Sequence, residues 1–255
     1  PTYAIEAVRE ALPVFGRKIR GFDLPDAVLT GVETRTSSPL RIIHAGAAMV
    51  REGTIWQDLA TSGLEFGLGF GLATIIGVPL GILMGWYRRF NAVLEPFVNA
   101  LYATPRIALL PLIVIWFGID LGSKVAIVFL STVFPILVNT MVGIRTVDRD
   151  FVKVARSFGA SDRQLFMTVA LPSSVPFLLT GLRLGLGHAL IGIVVGEMYG
   201  ATSGIGYMMA VAGSTFQTDR VMVGIIIIAA SGMIMTQMLK MIEMRFEKWR
   251  VDSRG

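Results

Sequence analysis

The chain has 255 residues, of which 53% are hydrophobic and only 16% are charged, with a formal net charge of +5 and no cysteine. This composition differs from that of a soluble domain and indicates a protein that lies in a lipid bilayer. The lack of cysteine excludes disulfides, thiolate metal sites and cysteine nucleophiles. The basic residues occupy short loops without interleaved aromatic residues, so the charge does not indicate binding to nucleic acid.

The N-terminal region, residues 1–55, is predicted to be an amphipathic and linker region. Residues 3–20 carry a weak helical apolar face suited to a membrane surface, and residues 37–39, Ser-Ser-Pro, are typical of a linker. A transmembrane domain is predicted over residues 56–250, and residues 251–255 are predicted to form a tail.

Five segments have the run of about 20 apolar residues that a membrane-spanning helix needs. They lie at about 59–87, 92–118, 124–145, 173–198 and 221–242. The sequence therefore predicts an all-α, polytopic membrane protein with five visible spans.

Basic residues cluster in loops that fall on one side of this arrangement. The clusters are Arg88 and Arg89; Arg145, Arg149, Lys153, Arg156 and Arg163; and Arg245, Lys248 and Arg250. The positive-inside rule places these loops and the C-terminus in the cytoplasm. Five spans would leave the arginine-containing residues 1–55 outside, and a further span upstream of Pro1 would place both ends in the cytoplasm.

Glycines recur every four residues in two of the spans, which lets helices approach closely. They are Gly63, Gly67 and Gly71, then Gly77, Gly81 and Gly85, and later Gly192, Gly196 and Gly200. Two interpretations are open: packing between helices of one subunit, and packing against a second membrane subunit.

The loop between the third and fourth spans, residues 146–172, is polar and basic although it joins two apolar segments. Asp148 or Thr146 can cap a short helix that runs through Phe158. Gly159 suits the left-handed conformation that ends a helix. These local signals predict the first of two short helices.

The second helix of this loop is predicted to begin at Ser161, which has capping-box spacing to Gln164, and to end at Ala170. The two helices carry an apolar set that a solvated loop would not need: Val152, Ala155, Phe158, Leu165, Phe166 and Val169. This set predicts a contact surface for a groove in a cytoplasmic partner. The alternative is packing against the chain's own helix ends.

Three ionisable residues in the spans are candidates for a translocation path, because such groups tend to face a cavity or a partner. Arg106 lies between Pro105 and Pro111, which interrupt the helical hydrogen bonds. It could contact a passing anion, or pair with Glu65 or Glu95, or extend to the interface.

His188 could line the path or form a buried hydrogen bond, and it lies near the centre of the fourth span. Glu197, near the end of that span, could contribute to an external gate or serve as a capped structural acid. We do not expect it to bind substrate directly if the substrate is an anion.

Enzymatic interpretations fail. The segment GIDLGSK at 118–124 lacks the Gly-Lys-Ser/Thr of a phosphate loop, and Ser203 has no evident route to His188 for nucleophilic catalysis. No cluster of His, Asp and Glu has metal-ligand spacing. We therefore predict no catalytic residues, no metal site and no ATP hydrolysis on this chain.

The loop resembles the cytoplasmic loop of ABC-importer permeases, whose pattern is Glu-Ala-Ala, three residues, Gly, nine residues, Ile, one residue, Leu-Pro. Ala155, Gly159, Val169 and Leu171-Pro172 occupy the corresponding positions. Lys153 and Val154 depart from the first two.

Residues from about Gly53 to Trp249 resemble the nitrate/sulfonate/taurine-type branch of that family. The stretches that carry this resemblance, besides the glycine-rich first span, are YATP at 102–105, LPL at 110–112, WFG at 116–118, FPI at 134–136, ARSFGAS at 155–161, GEM at 196–198 and GIGY at 204–207.

The resemblance implies a type I ABC-importer permease bundle, normally of six spans, in a bacterial-type inner membrane. It implies an ATP-driven importer for a small anionic solute such as nitrate, a sulfonate, taurine, bicarbonate or a carboxylate. The implied partners are a cytoplasmic ABC ATPase dimer that binds ATP and Mg, an extracytoplasmic substrate-binding protein and a second permease copy. No cofactor is expected on this chain. The competing class is a secondary transporter or channel with a regulatory loop.

The resemblance also assigns residues to a surface that couples the loop to the ATPase. They are Ala155, Arg156, Phe158, Gly159, Ala160, Ser161, Leu165, Val169 and Pro172.

Overall fold

The computed structural model describes residues 39–246, and the regular elements in this part of the chain are all helical. They are α1 (Pro39–Glu52), α2 (Thr54–Trp86), α3 (Arg88–Ala103), a 3-10 turn (Arg106–Leu109), α4 (Leu110–Phe117), α5 (Leu121–Arg145), α6 (Arg149–Ser157), α7 (Asp162–Leu165), a π-helical turn (Phe166–Ala170), α8 (Leu171–Gly200), α9 (Ile205–Ser214) and α10 (Thr218–Phe246).

Four helices are long and apolar enough to cross a membrane: Thr54–Trp86, Leu121–Arg145, the continuous Asp162–Gly200 and Thr218–Met244. A fifth apolar stretch is broken, because α3 and the segment Arg106–Phe117 meet at an angle of 84°. The predicted all-α membrane fold is confirmed, with five spans if the bent pair counts as one. The predicted second span, 92–118, is bent at the predicted interruption, because Pro105 cannot donate a backbone hydrogen bond at the break.

Helix α5 is the centre of the bundle, with α2 packed on one side and α8 on the other. Glycines make these approaches possible. A Cβ atom on Gly81 would lie 2.6 Å from the carbonyl oxygen of Leu137, and a Cβ atom on Gly185 would lie 2.9 Å from Cγ1 of Ile136. Two backbones therefore approach α5 at distances that a larger residue would prevent.

The glycines of α2 fall into two groups, one that packs within the subunit and one that does not. Gly77, Gly81 and Gly85 all pack against α5 within the subunit. For Gly63, Gly67 and Gly71, a Cβ atom would meet no heavy atom within 4 Å. Packing inside the subunit thus accounts for the second half of the stripe, and the first half lies on an open face.

Helix α1 lies within residues 1–55, the region predicted as amphipathic or linker. Its residue Met49 is buried against Ile205, Met208 and Val223. The helix predicted over residues 3–20 and the tail 251–255 lie outside the described residues.

Gly81→Ala is expected to lower the free energy of unfolding by about 1–3 kcal/mol, because the added methyl group overpacks the contact with α5. Gly67→Ala in the same helix adds a methyl group to open space and is the matched control. Thermal unfolding midpoints of the two purified variants in detergent test this. Equal midpoints would contradict close packing of α2 on α5.

Candidate docking loop and translocation path

The loop between α5 and α8 forms the two helices that its capping residues predict. The Asp148 side chain accepts a hydrogen bond from the amide of Asp150 and caps α6, whose last residue, Ser157, precedes Phe158. Gly159 has φ +76°, in the left-handed region. Ser161 and Gln164 form the predicted capping box. These local predictions are confirmed.

The predicted end of the second helix at Ala170 is wrong. Helix α7 continues through the π-helical turn into α8, giving one helix from Asp162 to Gly200. Leu171 donates its amide hydrogen to the carbonyl of Phe166, five residues back. The wider turn precedes Pro172, which has no amide hydrogen to donate, so the chain passes the proline without ending the helix.

The loop is fixed to the bundle by buried apolar contacts. Leu165 is only 4% exposed, and the rings of Trp86 and Phe166 meet edge to face with centroids 5.0 Å apart. Across the tight turn, Arg156 lies 3.5 Å from the carboxylate of Asp162. The loop is therefore a folded extension of α5 and α8.

Val152 of the predicted apolar set also lines the recess against α2 and α5, whereas other apolar residues of the loop face away from the bundle. Phe158 is 87% exposed, and Phe151 and Val154 are also exposed. A groove lies between α6 and the π-helical turn at the start of α8. It is lined by Phe151, Val154, Ala155, Thr168, Val169, Pro172 and Ser173. We call this groove, together with the adjacent Phe158, the loop groove.

The structure thus separates the predicted coupling residues into groups. Ala155, Val169 and Pro172 meet in the loop groove. Leu165 and Arg156 line a recess against α2 and α5 instead. Three further residues, Gly159, Ala160 and Ser161, form the turn. Sequence analysis missed Phe151, although its position four residues before Ala155 on α6 places the two on one face.

Arg106 lies at the break between α3 and α4, where it contacts protein from several directions. Its guanidinium donates to the carbonyls of Tyr102 (3.0 Å) and Ser131 (3.4 Å). Its Cζ lies 5.1 Å from the ring centroid of Tyr102 and 5.6 Å from that of Phe134. These rings stabilise the cation by their electron-rich faces.

No ion pair joins Arg106 to Glu65 or Glu95 within residues 39–246. Glu65 lies 3.9 Å from Lys124 instead, and Glu95 accepts a hydrogen bond from Asn91. The Nε atom of Arg106 is buried and has no hydrogen-bond partner among the described residues. Carbonyl groups and aromatic rings therefore fix the position of the Arg106 guanidinium, which has no acidic partner in this part of the chain.

His188 is half-buried on α8, and its Nδ1 atom lies 2.9 Å from the carbonyl oxygen of Leu184 in the preceding turn. This contact satisfies one ring nitrogen locally. Among residues 39–246, no hydrogen bond joins the His188 ring to Arg106 or Glu197.

Glu197 is 1% exposed and is held at the end of α8 that lies opposite the loop. Its carboxylate accepts from the hydroxyl of Ser62 (2.5 Å) and from the amide of Gly206 (2.6 Å). The hydroxyl of Ser62 in turn accepts from the amide of Ile205 (2.9 Å). Of the two interpretations, these contacts agree with the capped structural acid.

The comparisons with known proteins assign this architecture to a family. Residues 77–248 match the family model described as binding-protein-dependent transport system inner membrane component. The chain belongs to this family of ABC-importer permeases, as the loop motif and the glycine-rich span indicated. Its members are permease subunits rather than enzymes, and ATP hydrolysis is performed by a partner chain.

Relatives with similar sequences extend over most or all of the chain. SsuC of Bacillus subtilis, a permease protein named for aliphatic sulfonates, is 34% identical over 100% of this chain and 96% of its own length. The taurine transport system permease protein TauC of Escherichia coli is 35% identical over 80% of this chain and 74% of its own. The formylaminopyrimidine transport permease protein ThiX of Halalkalibacterium halodurans is 34% identical over 84% of this chain and 85% of its own.

A solved structure shows the same fold. A chain of the MetNI methionine ABC transporter in an inward-facing conformation superimposes with a TM-score of 0.55, at 18% identity, over 75% of this chain and 95% of that one. A second family model, described as FAD-dependent protein, C-terminal domain-like, matches residues 1–36. Those residues lie outside the described part of the chain.

Gly204→Ala is expected to destabilise the protein, because Gly204 has φ +113° and a Cβ atom there would lie 2.4 Å from Cδ of Glu197. The backbone strain alone corresponds to about 1–3 kcal/mol. Gly213→Ala is the matched control, since a Cβ atom there meets nothing within 4 Å. Thermal midpoints in detergent check the difference, and an unchanged midpoint for Gly204→Ala would show that Glu197 does not confine this position.

Proposed function

We propose that this permease forms the translocation path for a small anionic solute and couples it to a cytoplasmic ABC ATPase dimer through the loop groove. The observation that carries the coupling proposal is the outward-facing apolar surface of a folded loop, with Phe158 87% exposed. Exposed apolar patches on a rigid element are typical of protein interfaces. The basic clusters around the loop support its placement in the cytoplasm, together with the C-terminus, in an inner membrane.

The anionic class of the solute is supported by Arg106 and by two relatives. Arg106 is only half-buried, and the contacts found within residues 39–246 use two of its five N–H donors, one each to the carbonyls of Tyr102 and Ser131, so the guanidinium retains donors for a passing oxyanion. SsuC and TauC are named for aliphatic sulfonates and taurine, which carry a sulfonate group. ThiX is named for formylaminopyrimidine, a solute without such a group, so uptake assays with both kinds of solute decide the class.

The partners follow from the family together with the surfaces of the fold. The ATPase dimer would bind ATP and Mg, and an extracytoplasmic binding protein would deliver the solute. The open face at Gly63, Gly67 and Gly71 suits close packing against a second copy of the chain. His188 is a secondary candidate for the path, and Glu197 contributes to the structure of the end opposite the loop.

The mechanism we propose is alternating access. ATP binding closes the ATPase dimer, and the seated loop moves with it. Because α7 runs without a break into α8, displacement of the loop groove is transmitted along a membrane-spanning helix. The membrane subunits then expose the path to opposite sides in turn.

Ala155→Asp is expected to weaken capture of the ATPase more than about tenfold, because a charge in an apolar interface loses hydration without gaining a partner. Ser157→Asp adds the same charge to an exposed position of α6 outside the loop groove and is the control. Co-purification with the ATPase encoded nearest to this chain measures the effect. Equal capture by both variants and the unmodified chain would exclude docking through the loop groove.

Arg106→Gln is expected to lower uptake of an anionic solute by about tenfold, the effect of losing one charge-assisted hydrogen bond, without loosening the ATPase. Arg106→Lys keeps the charge but not the planar donor set, so an intermediate rate is expected. Solute uptake into proteoliposomes that contain the whole transporter measures the rates. Normal uptake by Arg106→Gln would remove the anion-contact role.

A further inference from the structure

Three consecutive backbone amides are held by three side chains from other helices at the end of the bundle opposite the loop. The amide of Gly204 donates to the carboxylate of Asp58 (2.9 Å). The amides of Ile205 and Gly206 donate to Ser62 and Glu197, at 2.9 Å and 2.6 Å. We call Asp58, Ser62 and Glu197 the amide clamp.

The clamp replaces the cap that α9 lacks. The residue before α9 is Gly204, which has no side chain to satisfy the first amides of the helix. Asp58 and Ser62 belong to α2, and Glu197 belongs to α8. The start of α9 is therefore satisfied only while the ends of α2 and α8 stay beside it.

The packing around the clamp leaves little room for separation. A Cβ atom on Gly206 would lie 2.5 Å from the carbonyl oxygen of Val194, so α9 begins in direct backbone contact with α8. Ile205 is 4% exposed and belongs to the apolar cluster that includes Met49 of α1 and Ile55 of α2. Polar and apolar contacts thus join the same elements.

Breaking the clamp would be unfavourable in the membrane setting. The Glu197 carboxylate, 1% exposed, would lose its hydrogen bonds to Ser62 and Gly206, and the amides of Gly204, Ile205 and Gly206 would lose their partners at a largely buried helix start.

We propose that Asp58, Ser62 and Glu197 are positioning residues that keep the ends of α2, α8 and α9 together as one rigid body throughout the transport cycle. The path then opens at this end along surfaces outside that body, and α9 does not swing away from α2. This inference rests on the proposed transport function, because it concerns which parts of the permease move.

The test uses the lack of native cysteine, which allows a single designed disulfide to form within the chain. Ile55→Cys and Ile205→Cys are combined, since both side chains belong to one buried apolar cluster that joins α2 and α9 and neither belongs to the amide clamp. The whole transporter is reconstituted in proteoliposomes, the disulfide is verified by mass spectrometry, and uptake is compared before and after reduction of the same sample.

We expect oxidised and reduced samples to transport at the same rate, because the joined positions do not separate. Loss of transport on oxidation, restored by reduction, would overturn the proposal. If the reduced sample binds the ATPase but transports nothing, while the chain without cysteine also transports nothing, the proposed function fails instead.

A second measurement does not depend on transport. The single variant Ile205→Cys in nanodiscs with the ATPase is treated with a hydrophilic maleimide, with and without ATP. We expect protection in both conditions. Adding Glu197→Ala should expose the cysteine, whereas adding Glu243→Ala at the opposite end should not. Labelling that rises on addition of ATP in the Ile205→Cys variant alone would show that the body opens and would overturn the proposal.

Discussion

The satisfaction of backbone hydrogen bonds in a medium with little water is the constraint on which the other features of this fold depend. A regular helix satisfies its interior backbone N–H and C=O groups by itself, so only the breaks and ends of helices need side chains as partners. At the break after α3, the guanidinium of Arg106 donates to the carbonyl of Tyr102. At the start of α9, the amide clamp accepts hydrogen bonds from the first amides of the helix, which have no partner within it. Both irregular places therefore contain an ionisable residue that binds the backbone, Arg106 at one and Glu197 at the other.

Close helix contact is the second determinant, and it follows from the distribution of glycine. Where a glycine of α2 or α8 faces α5, the two backbones meet, and where it does not, an open face remains. The same residue type thus fixes the interior of the subunit at Gly81 and leaves a surface at Gly67. Spacing in the sequence is identical in both halves, so only the neighbours of each glycine distinguish the two roles.

Much of the fold could be predicted because its signals are local. The capping box at Ser161, the left-handed Gly159 and the apolar runs each depend on residues a few positions apart. The partners of Glu197 could not be predicted, since Ser62 lies 135 positions away. Nor could the direction of Leu165, which depends on where α2 and α5 end. Pro105 correctly marked the break after α3. The predicted helix end at Ala170 is wrong, because a π-helical turn before Pro172 absorbs the missing donor.

The unbroken helix from Asp162 to Gly200 has 39 residues, which corresponds to about 58 Å at the rise of an α-helix and exceeds the roughly 30 Å of a bilayer core. It is a long arm with one end in the loop and the other at Glu197. If the arm pivots near one end, a tilt of about 5° displaces the opposite end by about 5 Å, as the length of the helix dictates. Small rotations at the loop are thereby converted into movements comparable to the diameter of a small solute.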